Sequence, residues 1–205
     1  SSHAEPQTRV DCWTSSGYRF VQRTADFDYL QTFIDEAHKQ GLRVHAVMNT
    51  FTGGCLCPYG LGSDGMLFED SSKKGWASVV KTMDLLDDSV DYGAKFLSPV
   101  HPEVQEYVLG IIGDLAEYDI DGIILDRCRF DDYSLQSDFS DNMRKGFEEY
   151  LGRSVSSWPG EVMSAGQDAL KRPVSDVTKK WLEYRAKVIH DFVVKAAEKV
   201  HSINA

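Results

Sequence analysis

The chain is short of positive charge, of cysteine and of long apolar runs, and each shortage closes a class of function. Its 205 residues hold 22 Lys and Arg against 32 Asp and Glu, a formal net charge of -10. That balance argues against broad attraction to nucleic acid or to an acidic membrane, and no basic stripe interleaved with aromatics offsets it. No apolar stretch is long enough to span a bilayer. No signal peptide is visible either, which leaves the compartment open because a processed secreted chain also lacks one. The four cysteines, Cys12, Cys55, Cys57 and Cys128, show neither a redox C-x-x-C nor a zinc spacing. They read as free or buried thiols; a disulfide would place the protein in an oxidising compartment. Gly60-Leu61-Gly62-Ser63-Asp64-Gly65 lacks the strand, the helix and the lysine of a phosphate loop. Neither a metal nor a cofactor is therefore expected. There is no internal repeat and no low-complexity tract.

What is present suits a globular domain. Hydrophobic residues make up 42% and charged residues 26%, enough for one sizeable core. Residues 1–205 read as a single domain or as part of one. After a polar stretch, Phe27, Leu30, Phe33, Ile34 and Ala37 recur at helical spacing behind a cap at Asp26, and Gly41 closes the helix. A short strand over residues 42–48 follows. The glycine-rich connection from Asn49 to Ser98 is too long to be structureless. A hairpin is expected in it between residues 66–68 and 76–80. Pro102 opens the next helix, with Val104, Val108, Ile111, Ile112 and Leu115 on its apolar face. Phe139, Met143, Phe147, Tyr150 and Leu151 mark another helix, stopped by Gly152. Residues 154–173 read as loop with a short helix near 161–165. A long helix starts behind Ser175 and runs through Trp181, Tyr184, Val188, Phe192, Ala196 and Val200.

The most informative run is Tyr118-Asp119-Ile120-Asp121-Gly122-Ile123-Ile124-Leu125-Asp126-Arg127-Cys128-Arg129. Ile123, Ile124 and Leu125 suit burial on both faces, as in a parallel sheet covered by helices. Asp126 then falls where the strand meets its loop, the usual place for catalytic groups in α/β enzymes. Its bland role is a structural acid paired with Arg127 or Arg129.

Three passages together resemble the bacterial glycosyl hydrolase-like proteins known as family-10-like, which have a (β/α)8 barrel. They are residues 33–51, containing Gly41-Leu42-Arg43-Val44-His45-Ala46-Val47-Met48-Asn49; residues 98–108, leading into the Asp126 strand; and Trp181-Leu182-Glu183-Tyr184-Arg185. The resemblance implies a TIM barrel of which this span holds the part around the third strand, residues 42–48, and the fourth, residues 120–128. A complete barrel takes about 250 residues, so the remainder of the same barrel, outside these residues, is an expected partner. In the related amylase-like pattern Asp126 matches the aspartate that attacks the sugar. Where that pattern carries an arginine two residues earlier, this chain has Ile124.

The implied activity is hydrolysis of a glycosidic bond in an oligo- or polysaccharide, with Asp126 as one catalytic carboxylate and its partner on a strand outside this span. The alternative is a carbohydrate-binding protein on the same barrel without catalysis. Asn49, at the end of the third strand, is placed to bind a sugar hydroxyl, and Arg129 to bind substrate. His45, within that strand, and His101, before Pro102, are further candidates. Trp76, Tyr133 and Trp158 could each stack on a sugar ring. A glycosidase of this kind fits a periplasmic or extracellular location.

Overall fold

Parallel pairing of two strands organises the chain. The structure, a computed structural model, describes residues 27–55, 65–80, 94–131, 135, 137–162 and 175–204. Helix α1 (Tyr29–Lys39) begins at Asp28, whose carboxylate accepts the Gln31 N–H at 2.9 Å; the expected cap, Asp26, lies outside the described residues. Gly41, at φ 72°, turns the chain out of the helix. Ile34 and Ala37 pack on Val44 and Ile120. Phe27 and Phe33, expected on that buried face, are each about half exposed. Phe27 precedes the cap, and Phe33 is rotated about 100° from Ile34 around the helix.

Strand β1 (His45–Asn49) pairs in parallel with the later strand Gly122–Asp126, in register from His45 opposite Gly122 to Asn49 opposite Asp126. Both strands are shorter than their sequences suggest. Leu42 still bonds back to the Ala37 carbonyl, and the Val44 N–H is taken by the Asp121 carboxylate at 2.7 Å. Along β1, His45, Val47 and Asn49 are exposed while Ala46 and Met48 are half-buried. The partner strand alternates likewise, with Ile123 and Leu125 half-buried and Ile124 exposed. The expectation of burial on both faces therefore needs correcting. One face is backed by helices, whereas Val47 is 64% and Ile124 47% exposed on the other. Parallel sheets ordinarily have both faces covered.

The connection between these strands is ordered in parts. Strand β2 (Thr52–Cys55) pairs antiparallel with β3 (Ala94–Phe96), with an irregularity between Thr52 and Gly54. The expected hairpin between residues 66–68 and 76–80 does not form. Met66–Glu69 is a short helix, α2, and Ser71–Trp76 a 3-10 helix. Asp70 decides this locally, since its carboxylate accepts both the N–H and the hydroxyl of Ser72 and curls the chain. Only Ala77 bridges to a strand neighbour, Leu97.

Helix α3 (Pro102–Ala116) starts on its proline as expected and leads into β4 (Gly122–Asp126), the strand paired with β1. Ser140 caps α4 (Asp141–Leu151), which Gly152 ends at φ 75°. Ser175 caps α5 (Asp176–His201). The short helix expected near residues 161–165 is a turn at Glu161 and Val162, and the rest of that stretch lies outside the described residues. Phe51, Leu97, Val104, Val108, Ile112 and Phe192 join α3, α5 and the strand ends into one core. A second core gathers Phe139, Met143, Phe147 and Trp181 between α4 and α5. The fold is thus α/β, with a parallel strand pair backed by helices, as in part of a (β/α)8 barrel. Among the described residues no closed eight-stranded barrel is formed.

Candidate functional site

The parallel register ends on a polar rung. Asn49 and Asp126 are opposite one another, on one face, at the carboxyl ends of β1 and β4. The next rung is a backbone bond, Thr50 N–H to the Asp126 carbonyl at 2.8 Å. Asp126 is exposed, and its carboxylate accepts the Arg127 N–H at 2.8 Å. Below this rung on the same face lie Val47 and Ile124, both apolar. Arg127 adopts φ 50°, a left-handed conformation uncommon for residues other than glycine. Such conformations need support from surrounding structure and cluster at functional sites. The guanidiniums of Arg127 and Arg129 lie 5.9 and 5.5 Å from the centre of the Phe96 ring. One nitrogen of Arg129 also donates to the Phe130 carbonyl at 3.2 Å.

The other candidates are dispersed. His45 shares the face of Asn49 but sits at the amino end of β1, four residues away, beside Gly122. Its side chain is exposed. Trp76 is only 8% exposed, packs in the larger core, and donates its indole N–H to Glu103 at 2.8 Å. Lys73 lies 4.0 Å from its ring centre. His101 occupies the cap position of α3 without capping it, 6.2 Å from the Trp76 ring, and its Nδ1 is buried without a hydrogen-bond partner. Trp158 donates to the Phe139 carbonyl at 3.0 Å and meets Trp181 edge-on at 5.2 Å. Trp76 therefore presents no open ring face here, while Trp158 is half-buried against the second core. Tyr133 lies outside the described residues.

Sequence reasoning missed a buried polar group behind the strand ends. Asp138, fully buried, accepts the N–H groups of Val79 and Ser140 on one oxygen and the hydroxyls of Ser98 and Ser140 on the other. Asp131, 6% exposed, accepts the Ser78 hydroxyl at 3.2 Å. Arg185 of α5 lies 3.8 Å over the Phe130 ring. Burial pushes its guanidinium down to about 10, against the opposing pull of Asp131 and Asp138. Arg185 could have been found, because it follows Trp181 by four residues and so shares that helix's buried face. Asp138 carried no such signal, being one polar residue in a loop. Burial also raises the Cys128 thiol to about 11, which leaves it a poor nucleophile. No group of three His, Cys, Asp or Glu residues converges as a metal site among the described residues. None of the described helices is long and apolar enough to cross a membrane.

The sequence is similar to those of known proteins. The S-layer-related protein of Niallia circulans is 30% identical over 190 residues, covering 88% of this chain and 11% of its own. Glycosyl hydrolase DigH of Escherichia coli K12 is 32% identical over 109 residues, 52% of this chain and 23% of that protein. The Shigella flexneri DigH aligns to the same extent. This chain thus spans less than a quarter of the length of each of these relatives. Residues 9–205, which take in α1, the β1–β4 pair and α5, match the family described as Glycosyl hydrolase-like 10, and the chain belongs to that family.

Proposed function

We propose that the protein hydrolyses a glycosidic bond in an oligo- or polysaccharide and that Asp126 is one of its two catalytic carboxyl groups. The family and the relatives named glycosyl hydrolase support glycosidase-type chemistry in general. The observation that carries the finer reading is the Asn49–Asp126 rung, two exposed polar side chains in register at the carboxyl ends of parallel strands. Strand ends hold the catalytic groups in this architecture. Asn49 offers both a donor and an acceptor to a sugar hydroxyl, and Arg129 binds beside it. Tyr133 retains the ring-stacking role in this reading.

The second carboxyl group comes from a strand outside this span, on a barrel that the longer protein completes. Two observations support completion: the open apolar rung Val47–Ile124, and the edge of β4 away from β1, which pairs with no strand among the described residues. Beside that strand a cleft of about 440 Å³ is lined by Ile123, Leu125, Val193 and Ala196. Once the second carboxyl is located, a separation of about 5 Å from Asp126 would mean retention of configuration, and roughly 6.5–9.5 Å inversion.

One observation favours the alternative, a carbohydrate-binding barrel without catalysis. Ile124 stands where the amylase-like pattern has its positioning arginine. The test is release of reducing ends from a panel of glycans by the intact protein. Turnover supports the enzyme; binding of a glycan with no turnover transfers the conclusion to the binding module.

A further inference from the structure

Among the described residues, Arg127 is the one residue other than glycine at positive φ. The peptide unit that precedes it is planar, so its C=O and N–H turn as one body. Both ends of that unit are engaged. The Asp126 carbonyl accepts the Thr50 N–H at 2.8 Å, and the Arg127 N–H donates to the Asp126 carboxylate at 2.8 Å. One peptide plane therefore closes the parallel ladder on one side and holds the candidate carboxylate on the other.

The chain is fixed on both sides of this peptide. Before it, β4 stays in register with β1 up to Asp126. After it, Cys128 packs against the larger core, and Phe130 and Asp131 are each 6% exposed. With both sides held, a change of φ at Arg127 is met by an opposite rotation at Asp126, and the peptide between them flips. That flip turns the N–H away from the carboxylate and the carbonyl away from Thr50. The left-handed conformation is thus the counterpart of the orientation that both bonds require. It is unfavourable for any residue with a side chain, and most so for a β-branched one. Such a conformation directly beside a site residue is where strain serves a mechanism.

We propose that Arg127 is a positioning residue for Asp126, acting through its left-handed backbone and not through its guanidinium. The conformation sets the plane of the peptide that joins the two residues, and that plane fixes the Asp126 carboxylate at the strand end. The inference rests on the glycosidase reading above and goes beyond it, because it gives a backbone conformation a part in the reaction. Substitutions that accept positive φ keep the carboxylate in place. Those that refuse it lose rate in a folded protein.

The test compares Arg127→Gly, Arg127→Asn, Arg127→Ala and Arg127→Val in the intact protein. All four remove the same guanidinium, so the differences among them report the backbone. Glycine takes positive φ without strain and asparagine tolerates it, whereas alanine disfavours it and valine refuses it. Values of kcat and KM are measured from the reducing ends released from glucans, xylan, galactomannan and N-acetylglucosamine-containing glycans. The expected order of kcat is glycine and asparagine above alanine, and alanine above valine, with KM nearly constant. The valine variant should fall about 10²-fold below the glycine variant, the usual loss for a misplaced reacting group. Thermal midpoints show which variants are folded; if valine prevents folding, the glycine-to-alanine ratio carries the test, at about tenfold. A loss confined to the thermal midpoint, or equal kcat across the folded variants, overturns the inference. Asp126→Asn, assayed alongside, separates that failure from failure of the reading beneath it. An inactive Asp126→Asn beside equal glycine and valine variants overturns the positioning role alone. An Asp126→Asn as fast as wild type, or a wild type that cleaves none of these glycans, overturns both.

Discussion

Replacing Asp138 should separate its two oxygens by what each holds. One oxygen receives two backbone N–H groups, Val79 at 2.9 Å and Ser140 at 3.0 Å. The other receives two hydroxyls, of Ser98 and Ser140. Alanine removes all four acceptor contacts at a fully buried point. Hydrogen bonds to charged groups contribute about 1.5–3 kcal/mol each, but a hydroxyl can turn to another partner while a buried N–H cannot. The net loss expected for Asp138→Ala is about 3–5 kcal/mol. At about 2–4 °C per kcal/mol for a protein of this size, the thermal midpoint should fall by roughly 6–20 °C. Asparagine is the informative contrast. Its carbonyl can keep the two N–H groups, and its NH2 can donate to hydroxyls that are free to reverse. Asp138→Asn should therefore cost only about 1–2 kcal/mol. Differential scanning calorimetry on both variants measures the difference. Asparagine as damaging as alanine would refute this division of labour and make the charge itself the requirement, and an alanine variant within 1 kcal/mol of wild type, about the value of one ordinary hydrogen bond, would refute the network.

Glu161 gives a pH prediction of definite sign. Hydrogen bonds from Arg153 first, then from the N–H and hydroxyl of Ser156, lower its carboxyl from 4.5 to about 2. A depressed folded value means the contribution is present above about pH 4.5 and is lost as pH falls towards 2. Urea midpoints of wild type and Glu161→Gln should thus differ at pH 6 and converge towards the bottom of that window; a constant gap would contradict the assignment. Gly146 packs so closely on Tyr184 that an added Cβ would overlap the phenol hydroxyl. Gly146→Ala should cost about 1–3 kcal/mol through displacement of Tyr184, although alanine is the better helix former; a variant as stable as wild type would contradict that contact.

The sequence made some features legible because they rest on local chemistry. Pro102, Ser140 and Ser175 mark helix starts, and Gly41 and Gly152 mark exits, through properties that neighbouring residues do not override. The strands around Val44–Asn49 and Ile123–Asp126 were visible as apolar runs, and the polar residue closing each was visible as a site candidate. Their adjacency as third and fourth barrel strands followed only from the family resemblance, and the register that sets Asn49 opposite Asp126 came from the structure. Periodicity alone cannot say which strands are neighbours. The hairpin expectation failed where Asp70 captured Ser72, since an aspartate-initiated turn outweighed the apolar content on either side. Trp76 looked like a loop aromatic open to a sugar, and tertiary packing took it. Nothing in the sequence marked Asp138 or Asp131 as buried. Their burial depends on Ser98 and Ser78, forty and fifty-three residues away.

The central claim is that the Asp126 carboxylate takes part in breaking the glycosidic bond. Its side chain is exposed and receives one hydrogen bond, from the Arg127 N–H, which an asparagine carbonyl also accepts. Asp126→Asn should therefore leave the thermal midpoint within about 2 °C of wild type while changing the chemistry. The decisive measurement is kcat/KM for both proteins on whichever glycan the intact protein cleaves. A loss of about 10²–10⁴-fold with unchanged stability is the predicted result. Equal rates in the two proteins would remove Asp126 from the reaction and contradict the account.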